Sequence, residues 1–508
     1  MKRFLPPLLI MGSIIYWYMF MRFIPPPPLT VSRETTYFTD LKEKDGRFAL
    51  AASLNALYRF PPEDNAAIAF MKMYGSDVLS TDSAELAEYF ELLEIAPDML
   101  ASPTLVMSLP SSASDSFVLN LSEDHQNVYR RPWQDEEFPQ IAALIETNEE
   151  TFALLASMAG KKGFYWPYLE RYEVWQAPMN RDFRPNQPMR LLLARGMMNL
   201  RAGELRNAWH DFACVGKAAR TMLQSDKIIY GLFGIVGIKD ASDAMATLLL
   251  QQNVDEEFLV QMLTDLDEII VKKGLERAVE SEVRFFLLSM YLENQELLFN
   301  QSGLTGGASN SDFARYIDRN VFCRKVNRLA DELLQGYSIE NVHERITRLT
   351  KLEAEQEKTR ASLTTSELMA RMLWIKYFTL SEKKCSEASE ILSEILLGIA
   401  MPRHSGLHIE MLAVAEKLRL LKVAVLIRLH KIRTGDYPSS LEELEVADKE
   451  VLVDSFSGSN FKFLSEGNNI LVYSLGSDQQ DNLGASGERV ESTEGPVFSD
   501  ITVQIVKF

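Results

Sequence analysis

Apolar residues recur at helical spacing over residues 40–405, and a two-residue period appears only near the C-terminus. Ala84, Leu86, Ala87, Phe90 and Leu93 form an i, i+3, i+4 stripe that Pro97 ends. Residues 137–159 read as one helix or a helical hairpin, stopped by Gly160-Lys161-Lys162-Gly163 and followed by the aromatic cluster Phe164-Tyr165-Trp166-Pro167-Tyr168, expected as a packed loop. Residues 189–223 are two helical runs split by Gly203. Further hairpins are expected at 228–251, 256–271 and 275–299, and the Gly/Ser/Asn stretch 303–312 reads as a loop.

The pattern changes after residue 405. A long apolar run should stop at Gly435, where a left-handed C-cap belongs, with Asp436 and Pro438 opposing continuation. Ser439 and Ser440, then Glu442 and Glu443, predict a short second helix carrying Leu441, Leu444 and Val446. Phe461 and Phe463 alternate with polar neighbours, Glu466-Gly467-Asn468-Asn469 is a turn, and Ile470 to Leu475 is rich in strand formers; together they predict a β-hairpin. Ile501, Val503 and Ile505 predict a third strand. Residues 406–508 therefore read as a small α+β module with a three-stranded antiparallel sheet behind a mainly α body at 40–405.

The N-terminus reads differently again. Lys2 and Arg3 precede an apolar stretch from Phe4 to Ile24, broken only by Arg22, with Trp17 and Tyr18 placed as an aromatic belt. About 17 to 21 residues at about 1.5 Å each cross a hydrocarbon core of about 30 Å. Pro25-Pro26-Pro27-Pro28 stands where a small-residue cleavage site would be needed, so residues 1–24 are expected as an uncleaved transmembrane anchor. Residues 25–39 are then a stiff Pro-rich linker, and the leading cations place the bulk of the chain on the extracytoplasmic side of a cell membrane.

Composition narrows the chemistry. With 508 residues and 46% hydrophobic content, burial is not limiting. A formal charge of −18 repels phosphate backbones and no basic run reverses it locally, which argues against a nucleic-acid partner. Cys214, Cys323 and Cys385 are isolated, so they frame neither a disulfide network nor a C-x-x-C site and are expected as buried thiols.

Four other groupings are weighed as chemistry. Gly231, Gly234 and Gly237 follow no strand and are evenly spaced, which favours close helix packing over a nucleotide loop. His404, His408 and Glu410 could reach a zinc ion from one helical turn, but no further ligand is indicated. His210 and Asp211 are adjacent on one helix and point to different faces, so they make no catalytic pair by themselves. Glu276, Glu280 and Glu282, with Arg277 and Arg284, read either as groove-lining carboxylates of a glycan-cleaving enzyme or, preferably, as i, i+4 ion pairing.

The C-terminal region resembles that of the type II secretion major pseudopilin: Gly435, Tyr437 and Pro438 closing a long helix, then Asp454, Phe456 and Gly458, then Tyr473, Ser474, Gly476 and Asp478, and finally Asp500 and Ile501. The resemblance covers about the last fifth of the chain. It implies a calcium ion held by the Leu475 carbonyl, Asp478 and Asp500, with Asp481 or Glu488 as further ligands; oxygen donors of this kind suit Ca²⁺. The loop at 479–499 is longer than the family's, and the glutamate that family carries in its apolar N-terminal segment has no counterpart here, so polymerisation through that segment is not implied. Gly196, Ala208 and Phe212, twelve and four apart, resemble one tetratricopeptide-type (TPR-like) hairpin, which implies a helical repeat body that binds a protein partner. The whole layout resembles uncharacterised membrane-anchored proteins of planctomycete-type bacteria. The function these features point to is a non-enzymatic, membrane-anchored, extracytoplasmic scaffold. The alternatives are an envelope glycan or peptidoglycan hydrolase and an accessory component of a type II secretion or pilus apparatus.

Overall fold

The computed structural model describes residues 27–41, 43–44, 47–48, 50–109, 117–118, 126–172, 174, 184–251, 254–270, 274–292, 318–361, 389–390, 393–394, 397, 404–446, 448–485, 490–492, 495–497 and 500–506. The described chain is mainly helical: α1 (Ala51–Tyr58), α2 (Ala66–Tyr74), α3 (Ser83–Leu93), α4 (Pro139–Thr147), α5 (Glu149–Met158), α6 (Asn186–Ala202), α7 (Leu205–Met222), α8 (Ile228–Leu248), α9 (Glu256–Ile269), α10 (Glu276–Glu280), α11 (Leu287–Leu292), α12 (Arg319–Ser338), α13 (Val342–Ala361) and α14 (His404–Thr434). A single π turn, Ser281–Phe286, joins α10 to α11. Two-residue strand pairs β1/β2 (Glu43–Lys44, Arg47–Phe48) and β3/β4 (Ser108–Leu109, Phe117–Val118) decorate the body.

Helix ends follow local chemistry. Asp82 caps α3 by accepting from the Ala84 and Glu85 amides, and Asp255 caps α9 by accepting from Phe258 N at 2.8 Å. Gly203, at φ +83°, closes α6 and lets the chain turn straight into α7. The stretch 137–159 is two helices rather than one, because Asn148 interrupts it. Fully buried, its side chain accepts from Val106 N and donates to Val106 O and Leu144 O, so it serves an extended segment that a continuous helix would leave unpaired.

Buried asparagines clamp other irregular segments in the same way. Asn65 exchanges bonds of 3.0 and 2.9 Å with the backbone of Tyr165, and Asn55 bonds of 2.7 and 2.9 Å with that of Tyr168. The aromatic stretch expected as a packed loop is thereby held inside the core, with Phe164, Tyr165, Trp166 and Tyr168 all buried. On α12, Asn320 donates to Pro28 O at 3.0 Å and accepts from Thr30 N at 2.7 Å, while Asn327 donates to Glu34 O and Thr35 O. The described part of the Pro-rich segment is thus a strap packed on the body: Leu29 and Val31 reach the core, and Phe38 stacks on Phe285.

At the centre, α7 packs against α6, α8, α5 and α9, and the stretches 228–251 and 256–271, expected as hairpins, each hold one helix, α8 and α9. Its contact with α8 is close because Gly234 and Gly237 offer no side chain: a Cβ at Gly234 would lie 2.7 Å from the Ala219 carbonyl oxygen, and one at Gly237 would lie 2.8 Å from Ala219 Cβ. These glycines are helix-packing residues.

Helix α14 joins the two halves of the molecule. It lies on α8, α9 and α13 and also on two strands of the C-terminal sheet, Asn469–Ser474 and Ile501–Val506. Met411 to Val414, Leu420, Leu421 and Val423 to Val425 are all buried, so apolar positions go round the whole helix. The boundary expected at 405/406 falls at the start of this shared helix, and one continuous core runs from Leu41 to Ile505. Lys417 makes the join explicit, donating to Thr502 O at 2.8 Å with its Nζ 3.8 Å from Asp243 of α8.

The sheet has the expected strands: β5 (Lys462–Glu466), β6 (Asn469–Ser474) and β9 (Ile501–Val506), in the order β5-β6-β9 and antiparallel throughout. Ile470 faces Ile505 and Val472 faces Val503, all four buried beneath α14. A separate ribbon, β7 (Val490–Ser492) with β8 (Gly495–Val497), precedes β9. Gly435, at φ +92°, ends α14 as its sequence predicts. The short second helix is instead a single 3₁₀ turn, Leu441–Glu443, because Leu441 and Leu444 are three apart and one such turn already buries both.

Among the described residues no helix is long and apolar enough to cross a membrane, and the expected anchor at 1–24 lies outside them.

Candidate protein-binding groove

One face of α7 presents Arg206, Trp209, His210, Ala213, Cys214 and Lys217, spaced three or four apart. Phe258, Gln261 and Asp265 of α9 rise on one side of it, and Ala156 and Ala159 at the end of α5 on the other. The trough between them encloses ≈ 300 Å³. Arg206 and Phe258 also line an adjoining cavity of ≈ 630 Å³, completed by Glu204, Leu205, Asn207, Gln251 and Asp255. The two cavities meet at Arg206 and Phe258, beside the α6–α7 turn, and are treated together as a groove.

Its walls are held by charge. Asp265 accepts from Trp209 Nε1 at 2.9 Å and from Lys217 Nζ at 2.7 Å, and Lys217 also meets Glu268. Arg206 pairs with Asp255 at 2.8 Å and lies 4.9 Å above the Phe258 ring. Burial would lower Lys217, but bonds to Asp265 and Glu268 leave it raised, so it stays charged. Asp211 turns inward to a two-point pair with Arg195, at 2.7 and 3.0 Å. His210 stays exposed, and the Asp211 carboxylate 3.7 Å from its Nδ1 raises its pKa. The groove therefore offers a rim of paired charges over an aromatic floor.

Phe212, the aromatic of the TPR-like spacing, closes on Gly196 of the same pair of helices; a Cβ at Gly196 would lie 2.4 Å from the ring. Arg206, Lys217, Phe258, Gln261 and Asp265 were not legible as site residues. The spacing on α7 was visible, but that α9 would stand beside it was not.

The residues singled out for calcium lie in one loop, with Leu475, Asp478 and Asp481 on one limb and Asp500 on the other. Asp478 accepts from Gln480 N in a local turn, Asp481 accepts from Tyr473 OH and Leu483 N, and Asp500 accepts from Asn482 N and Gly484 N through Oδ2. Asp500 is buried, its Oδ1 has no partner, and burial raises its pKa. Leu475 N bonds Asp454, a buried carboxylate that also accepts from Phe456 N, Ser457 Oγ and Ser474 Oγ and so ties the loop before β5 to the end of β6. Among the described residues no three His, Cys, Asp or Glu gather in a group able to hold a metal ion, and Glu488 lies outside them.

Glu280 pairs with Arg284 at 3.2 Å as an i, i+4 ion pair, and Arg284, itself buried, also reaches Asp331 and Asn327. Cys214 and Cys323 are buried free thiols pushed up to about 12 by burial; Cys385 lies outside the described residues. His408 is fully buried beside Tyr337, with both ring nitrogens unpartnered. Compared with family models, curated proteins and solved structures, the chain matches none.

Proposed function

We propose that the protein is a membrane-anchored extracytoplasmic scaffold whose helical body binds a protein partner along the α7/α9 groove. The observation that carries this reading is the groove itself: two adjoining cavities with charged rims and an aromatic floor. Paired rim charges favour selective, reversible association, since a partner must match both signs. Residues 1–24 supply the membrane attachment, and the C-terminal sheet with α14 is the pseudopilin-like part of the scaffold.

A photo-crosslinking residue at exposed His210 tests it in cells, with the same probe at exposed Leu57 as the off-groove control. The reading expects a discrete adduct from position 210 that Arg206→Glu abolishes. Identical adduct patterns from the two positions, or none, would overturn it.

Calcium in the Leu475–Asp500 loop is supported by the resemblance and by the uncommitted Asp500 Oδ1. The described donors do not form a cage by themselves, so the ion would draw on Glu488 or another residue beyond them. Titrating the full chain with calcium should release heat and raise its Tm; neither effect in wild type removes the ion from the picture.

A further inference from the structure

The strap changes what an N-terminal anchor would do to the body. Residues from Pro28 to Thr35 are bonded along one face of α12, with Asn320 holding Pro28 and Thr30 and, seven residues on, Asn327 holding Glu34 and Thr35. Tyr37 then lies between two guanidiniums, with Arg33 3.4 Å and Arg284 4.4 Å from its ring centroid, and packs edge-on against Phe285. Tyr37 adopts φ +65°, a backbone region unfavourable to a bulky side chain, so these contacts over-determine its position. A flexible tether would not be built this way.

Between Ile24, the end of the expected span, and Pro28, the first residue clamped to the body, lie four residue steps. Even fully extended they cover at most about 14 Å. A headgroup layer is about 5–8 Å deep on each side of the hydrocarbon. Pro28 would therefore lie within about 9 Å of the lipid surface, with Asn320 hydrogen-bonded to it. Arg324 and Arg328, four and eight residues further along α12, and Arg33 on the strap are exposed beside it. None of the three has an ion pair among the described residues; Arg328 borders a cavity that Glu332 and Glu394 also line, Glu394 is paired with Lys325, and Asp331 is taken by Arg284. Arginine reaches phosphate oxygens with paired donors.

We propose that residues 28–38 hold the body flat against the bilayer, with Arg33, Arg324 and Arg328 on phospholipid headgroup phosphates. This rests on residues 4–24 spanning the membrane. It matters because a chain carrying −18 is otherwise repelled by an anionic surface, so the strap decides which face meets the lipid.

The test uses the full chain in phosphatidylcholine vesicles, with and without phosphatidylglycerol. A donor dye is placed on Glu34→Cys in a Cys385→Ser background, and energy transfer is read to headgroup-labelled lipid. Inserting a flexible Gly/Ser stretch of about 20 residues after Ile24 removes the length constraint and leaves strap and body untouched. We expect transfer at least threefold higher in the native-length chain than in the extended one, and an intermediate level for Arg324→Glu/Arg328→Glu. Equal transfer at native and extended length would overturn the role of the strap. Equal transfer with and without the arginine pair would overturn the headgroup assignment. A chain that washes off the vesicles at alkaline pH refutes the anchor itself, and this proposal with it, and that result is distinguishable from the other two.

Discussion

His408 shows how one residue can work against the fold that contains it. It lies in the first turns of α14 with both ring nitrogens unpartnered, and burial, aided by the nearby Arg345 charge, lowers its pKa from about 6.5 to about 3. The unfolded chain then binds a proton here between those two values and the folded chain does not. Stability should be unaffected by this residue above about pH 6.5 and fall below it, at up to about 1.4 kcal/mol per pH unit. His408→Leu should remove that slope and add about 1–3 kcal/mol at neutral pH, because a buried N–H without an acceptor disappears. Denaturant titrations of both chains at several pH values check this; parallel curves would show that His408 is solvated. The buried asparagines are the opposite case. Asn55 serves Tyr168 N, Tyr168 O and Tyr165 OH at once. Asn55→Ala should cost at least about 2 kcal/mol, since each buried group left unpaired costs about 1–3 kcal/mol. A midpoint shift much smaller than this would mean that water replaces the amide.

At the scale of elements, the two kinds of glycine separate. Gly435 is needed for its left-handed backbone, with open space around it, and a Cβ there meets only the conformational penalty of about 1–2 kcal/mol. Gly234 has ordinary helical geometry but sits against the Ala219 carbonyl oxygen, so Gly234→Ala must push α7 and α8 apart. That overpacking should cost about 1–3 kcal/mol. It should also loosen the groove that α7 carries, whereas Gly435→Ala should leave groove crosslinking unchanged. Comparing Tm and crosslinking for the two variants separates the effects. The C-terminal strands were readable because alternation and a Gly-Asn turn are local signals. After Gly435 a 3₁₀ turn stands where a short helix is expected, because a Leu441–Leu444 spacing fits an α-turn and a 3₁₀ turn equally well.

For the whole molecule the decisive element is α14. Its residues bury against α8, α9 and α13 as well as against the sheet, and Arg419 and Lys417 tie it to the segment before β5 and to β9. A fragment of residues 406–508 would expose Leu420, Leu421, Val425 and other buried positions of that helix without their neighbours in the body. Such a fragment should show no cooperative thermal transition, while the full chain does; circular dichroism on both decides it. A sharply melting fragment would show that α14 and the sheet are sufficient for each other.

The sequence by itself determined what depends on near neighbours: helical period over the body, the stop at Gly435, the turn of the β5/β6 hairpin, and the glycine stripe of α8. Each of these is written within a few turns of chain, where steric and hydrogen-bonding preferences act directly. Tertiary structure decided everything that depends on residues far apart in the chain. It set α9 beside α7 to form the groove, made Asn320 and Asn327 the anchor points of a segment nearly 300 positions away, and gave α14 two sets of partners. An asparagine in a helix reads as a weak helix former until the backbone it serves is known, because the donors and acceptors it satisfies belong to another part of the chain.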